Sequence, residues 1–224
     1  MRIPNRVGGR LRQQVRLALI GTSLAVVAPG AMAASITVNA SGDASSDGQC
    51  TLRDAIAAAN QNEMVAGCTA GDDMNDTIVF GNNVAGSTIT LGGTALPTIV
   101  AGSTLTIGMA GDDSDDADDS AGVTIDANNQ SRIFTNQGNL TLNGLTLLNG
   151  AATTAGGDAD ARSGGAILND DGGVLTVNGG AMNNNSADRA GGAIEEASGA
   201  TAAGGDDDTA NDNVRVTLNN VNFS

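Results

Sequence analysis

A chain of 224 residues with 25 acidic and 10 basic side chains, none of them Lys, and no His carries a formal charge of −15. That charge repels nucleic acid and anionic lipid and excludes nucleic acid as a partner; the lack of His beside only two Cys leaves no ordinary zinc ligand set. With three Phe, no Trp and no Tyr, the core has to be built from aliphatics with 32 Gly at the turns, a recipe that suits a narrow stack of rungs better than a broad interior.

The first segment reads as an export signal. Arg2, Arg6, Arg10, Arg12 and Arg16 form a basic stretch, an apolar run covers residues 17–27, Pro29 and Gly30 break it, and Ala31-Met32-Ala33 offers small residues to a signal peptidase. The run falls short of the roughly 20 residues that span a bilayer, so residues 1–33 are expected to be cleaved after Ala33 rather than kept as an anchor. No later segment is apolar enough to span. Cleavage removes five basic residues and no acid, leaving five against 25, a net charge of −20. The expected location is extracellular or on the outer-membrane surface.

Residues 34–75 read as an N-terminal cap. Ser35-Ile36-Thr37-Val38-Asn39 alternates as a short strand, and a polar loop leads to a helix expected over residues 51–60. Thr51 is its candidate N-cap with Asp54 in the capping-box position, and Leu52, Ala55, Ile56 and Ala59 recur at helical spacing on one face. Such a helix suits covering the end of a stack of strands. Cys50 and Cys68 are the only cysteines; an even count behind an export signal favours a disulfide over free thiols.

From residue 76 to 224 the pattern is short β-type runs separated by Gly, Asn and Asp, with strands expected at residues 77–80, 87–91, 104–107, 123–125 and 132–135. A repeat then emerges. The segment from Leu140 to Leu147 aligns with Leu175 to Met182 and with Val216 to Phe223, and Gly164-Gly165-Ala166-Ile167 recurs as Gly191-Gly192-Ala193-Ile194, a spacing of 27 residues. Strands are expected at 166–168, 174–177 and 181–183 within that unit. Leu140 and Leu142 should face inward and Thr141 outward, and Asn143, Asn178 and Asn219 should stack as a hydrogen-bonded ladder at a turn. The longer spacings between the aligned segments, 35 and 41 residues, locate acidic insertions at 151–160 and 197–213, and a third acidic stretch lies at 110–121; all three are expected to loop out.

Two pieces of the sequence resemble known families. Cys50-Thr51-Leu52-Arg53-Asp54-Ala55-Ile56 resembles the N-terminal signature named from the letters CSLREA, with Thr for Ser and Asp for Glu. The Gly-Gly-Ala-Ile blocks at 164 and 191, with Met182-Asn183-Asn184-Asn185 where Phe-x-x-Asn is usual, resemble the repeats of bacterial polymorphic outer-membrane proteins. The resemblance implies an all-β fold, a right-handed parallel β-helix (solenoid) with a short N-terminal capping α-helix. It also implies an adhesin or autotransporter-passenger-like scaffold that meets an unknown surface ligand, protein or glycan. Because the chain stops at Ser224 inside a repeat, it reads as a fragment of a longer protein.

No catalytic, cofactor-binding or metal-ligating residue is assigned from the sequence. The acid run from Asp112 to Asp119 lacks the Gly and terminal Glu of an EF-hand loop and reads as solvated. The alternative function is a fragment of a carbohydrate-active parallel β-helix enzyme, pectate lyase-like or polygalacturonase-like. Its best acidic pair would be Glu195-Glu196, but strand neighbours point to opposite faces. The five mature basic residues, Arg53, Arg132, Arg162, Arg189 and Arg215, form no constellation with acids that would abstract a proton.

Overall fold

The computed structural model describes residues 33–72, 75–109, 122–153, 157–170, 172–197 and 215–224, all within one compact unit. The export segment before Ala33, the acid run 112–119 and most of the insertions at 110–121 and 197–213 lie outside the described residues. In chain order the elements are β1 (Ser35–Val38), α1 (Leu52–Gln61), β2 (Asp76–Phe80), β3 (Thr88–Thr90), β4 (Thr104–Met109), β5 (Thr124–Asp126), β6 (Phe134–Asn136), β7 (Asn139–Asn143), β8 (Thr146–Leu148) and β9 (Ala151–Ala152). A 3-10 turn (Asp160–Arg162) precedes β10 (Ile167–Asn169), β11 (Val174–Asn178), β12 (Ala181–Asn183), β13 (Ser186–Ala187), β14 (Ile194–Glu196), β15 (Val216–Asn219) and β16 (Asn222–Phe223).

Every pairing between these strands is parallel. The sheets run β1-β2-β4-β7-β11-β15, β16-β12-β8-β5-β3, β14-β10-β6 and β13-β9. From β4 onward the chain visits the first, second and third of these sheets in rotation, with β9 and β13 of the two-stranded sheet interposed between the second and the third, so each strand pairs with one from the previous circuit rather than with its sequence neighbour. The described chain is therefore mostly parallel β-structure with a single α-helix.

Alternation along each strand places one set of side chains inward, and the parallel register stacks like on like. Ile36, Ile78, Ile107, Leu142, Val177 and Leu218 form one column of the six-stranded sheet. In the five-stranded sheet, Ile89, Ile125, Leu147, Met182 and Phe223 form another. The members before the last rung are fully or almost fully buried; burial of these stacked aliphatics supplies the driving force that aromatics supply elsewhere. Met182 fills its column at 2 % exposure.

Helix α1 follows from its caps. Thr51 is extended and accepts the Asp54 N–H, while its hydroxyl donates to Asp54 Oδ2 at 2.8 Å, a reciprocal pair that ties down the first turn. Leu52, Ala55, Ile56, Ala58 and Ala59 are buried, and Asn62 in the left-handed conformation ends the helix after Gln61, one residue beyond the expected stop. The Cys50–Cys68 disulfide is formed, with Cα atoms 4.6 Å apart, and both cysteines are buried. Closing this loop of 18 residues stabilises the cap by roughly 3 kcal/mol in the chain-entropy account.

Two expectations need correction. Residues 151–160 do not loop out as a whole, because Ala151 and Ala152 are buried and form β9 against β13. Strand β6 begins at Phe134 rather than Arg132; the Arg132 side chain donates to the carbonyls of Asp160, Ser163 and Gly164. Gly164 and Gly191, the first residues of the two repeated blocks, have φ of 65° and 59°. A Cβ at Gly164 would fall 2.3 Å from the Ile167 carbonyl oxygen, so the block needs Gly both for its backbone and for its space.

Candidate binding face

The outward positions of the six-stranded sheet form the most regular chemical surface of the molecule. Register places Ser35, Thr77, Thr106, Thr141, Thr176 and Thr217 in one column. Parallel strands lie about 4.8 Å apart, so this is a row of hydroxyls at that interval. It arises because each strand carries the same alternation, aliphatic in and Thr out, and Thr is a strand-former on a half-exposed surface.

Beside it runs the column Gly108, Asn143, Asn178, Asn219. Asn178 Nδ2 donates to Asn143 Oδ1 at 2.9 Å, and Asn219 Nδ2 donates to Asn178 Oδ1 at 2.8 Å, the ladder expected from the repeat. The row stops at Gly108, where a Cβ would lie 2.8 Å from Asn143 Cβ. Left-handed Gly144, Gly179 and Asn220 follow the three asparagines, with φ of 65°, 66° and 54°, and turn the chain toward the next sheet. On the other flank stand Thr104, Asn139 and Val174. None of the outward positions on these described strands carries a charged side chain, although the residues after the expected cleavage hold 25 acids. Apart from Val79, Val174 and Gly108, its chemistry is hydroxyls and amides that both donate and accept.

At one edge of this face, next to Thr104, lies a cleft of about 190 Å³ whose lining includes Asn60, Asn62, Asp72, Asp76 and Ser103. Asp76 is buried and stands in the inward column of Leu105, Leu140, Leu175 and Val216. Its Oδ1 accepts the Asp72 N–H at 2.9 Å. Burial raises its pKa above the ordinary carboxylate value; the hydrogen bond from Asp72 opposes this and the nearby Asp72 charge adds to it. Asn60 ties α1 to the neighbouring loop by donating to the Thr98 carbonyl at 2.8 Å.

A second ladder faces inward. Asn136 and Asn169 are fully buried; Asn136 Nδ2 donates to Asn169 Oδ1 at 2.7 Å, and Asn169 Nδ2 donates to the Gly173 carbonyl and to Glu196 Oε2, each at 2.6 Å. Glu196 also pairs with Arg215 at 2.6 Å. Glu195, its neighbour, approaches Arg189 at 3.7 Å instead, so the two glutamates are engaged in different places. Arg53 holds Asp43 through two hydrogen bonds of 2.9 and 2.8 Å and reaches the carbonyls of Thr94 and Ala95. Burial lowers the Arg132 pKa against the raising effect of Asp160, Asp170 and Asp158. Arg162 closes the 3-10 turn. These arginines serve packing and pairing rather than one shared site, and among the described residues no three His, Cys, Asp or Glu side chains are grouped to hold a metal.

The inward ladder and the position of Asp76 were missed in the sequence. Phe134-x-Asn136, Ile167-x-Asn169 and Ile194-x-Glu196 is the pattern that could have disclosed the first. No described helix is long and apolar enough to cross a membrane. Comparison with family models, with curated proteins and with solved structures gives no match.

Proposed function

We propose that this chain is an exported scaffold of adhesin type, a right-handed parallel β-helix resembling polymorphic outer-membrane protein passengers, with residues 34–75, and the helix over 51–60 within them, as its N-terminal cap. Its work is contact: an uncharged, register-locked face presents hydroxyls and amides to a ligand on another surface. The observation that carries this reading is the outward face of the six-stranded sheet, free of charge on every described strand in a chain that is otherwise strongly acidic. Rotation of the chain through three sheets supports the β-helix, and the disulfide suits an oxidising compartment.

The test has two parts. Mass spectrometry of protein recovered from the envelope or medium should give an N-terminus at Ala34, and beads coated with residues 34–224 should adhere to cell or matrix surfaces. A cytosolic product retaining Met1, or beads that adhere no better than albumin-coated ones, would overturn the proposal.

A further inference from the structure

We infer that the partner of the outward face is a neutral, extended polysaccharide lying along the threonine column, perpendicular to the strands. This deepens the binding reading above and rests on it. Three features select that chemistry. The face repeats in one direction only, hydroxyl over hydroxyl from Ser35 to Thr217, at about 4.8 Å per rung. A polymer of sugar rings offers a repeat of the same order along one line, whereas a folded protein surface offers none. Second, the donors and acceptors are neutral and ambivalent, matching sugar hydroxyls that also both donate and accept. The aromatic and Arg anchors that dominate protein–protein interfaces are absent from these positions. Val174, 40 % exposed between the hydroxyl positions and the edge, gives apolar contact for ring C–H groups.

Charge decides among the glycans. An uncharged face on a chain with −20 after signal cleavage admits a neutral polymer and disfavours uronate-rich, sulfated or phosphate-linked ones, whose approach the chain's net negative charge resists. The six rungs span about 24 Å, which seats about five sugar residues.

The experiment uses residues 34–224 and graded neutral oligosaccharides of β-1,4-, β-1,3- and α-1,4-linked glucose, from two to eight residues, with polygalacturonate as the anionic comparison. Affinity for one neutral linkage should rise with length and level off near five residues. The double variant Thr141→Val and Thr176→Val keeps shape and strand preference but removes two hydroxyls; its affinity should fall at least about tenfold with an unchanged thermal melt. Thr88→Val with Thr124→Val, on the five-stranded sheet, should leave binding as it was. Retention of no neutral glycan, affinity without length dependence, indifference to the Thr141/Thr176 pair, or preference for polygalacturonate would each overturn the inference. If coated beads still adhere to cells and the exported product begins at Ala34 in any of those cases, the scaffold reading stands and only the glycan falls; if adhesion or export fails, the broader reading falls as well.

Discussion

Two corners of the molecule are built from the same side chain and stand in opposite environments. Asn143, Asn178 and Asn219 stack on the outer rim of the six-stranded sheet, half in water. Asn136 and Asn169 stack on the inner side, wholly out of water, and end on Glu196. In the outer ladder water can replace any bond that is lost, so each bond contributes little. The inner ladder has no such substitute, and loss of one member strands the polar atoms of the others. The contrast teaches that the regularity visible at the surface organises the rungs, while the less regular inner ladder holds them in register.

The sharpest way to break the inner corner is Asn169→Ala. Removing it strips Asn136 Nδ2 of one acceptor and frees the Gly173 carbonyl and Glu196 Oε2. The expected cost is about 2–4 kcal/mol in urea unfolding; a loss under about 1 kcal/mol would show that water enters this corner. Glu196→Ala should cost less, about 1 kcal/mol, because the end of the ladder is partly exposed. Glu196→Gln keeps an acceptor for Asn169 and should recover most of that loss. In the outer corner, Asn178→Ala should cost only about 0.5 kcal/mol, since Asn143 and Asn219 turn to water. If it matched Asn169→Ala, the distinction between the two corners would be lost.

Asp76 sharpens the comparison from the charged side, because it faces inward without belonging to either amide ladder. Its folded pKa is raised, chiefly by burial, so the folded protein holds this proton more tightly than the unfolded chain does. The sign follows: its contribution favours folding below the unfolded value, near 4, and that advantage is lost as pH rises through the folded value. Asp76→Asn retains an oxygen for the Asp72 N–H. The variant should gain in melting temperature relative to the parent as pH climbs from about 4 toward neutrality; a difference that does not change with pH would place the carboxyl in water.

The outer ladder was legible because Asn143, Asn178 and Asn219 sit at matching places in segments whose Leu and Thr neighbours also match. Helix α1 was legible for a similar local reason, a cap followed by one apolar stripe. The inner ladder was hidden by unequal spacing. Asn169 and Glu196 do share the 27-residue interval of the Gly-Gly-Ala-Ile blocks, but the second member is Glu rather than Asn, and Asn136 stands 33 residues before Asn169 with no such block ahead of it. Asp76 was hidden because its column of leucines becomes a readable repeat only from Leu140 on, and Ala151–Ala152 because an Ala-rich stretch beside acids looks alike whether it forms a strand or a loop.

The seam at β14 and β15 has a use in protein engineering. The 197–213 insertion is held at its base from both sides: Ala197 N–H donates to the Asn169 carbonyl at 2.9 Å, Leu175 N–H donates to the Arg215 carbonyl at 2.6 Å, and Glu196 and Arg215 clasp across the gap. Register on the far side is intact, with Leu175 opposite Val216 and Asn178 opposite Asn219. The span between Ala197 and Arg215 is therefore a place to vary length: for a flexible replacement linker, doubling its length should add only about 0.6 kcal/mol of closure entropy, while the Glu196–Arg215 clasp sets the frame in which the next strand begins.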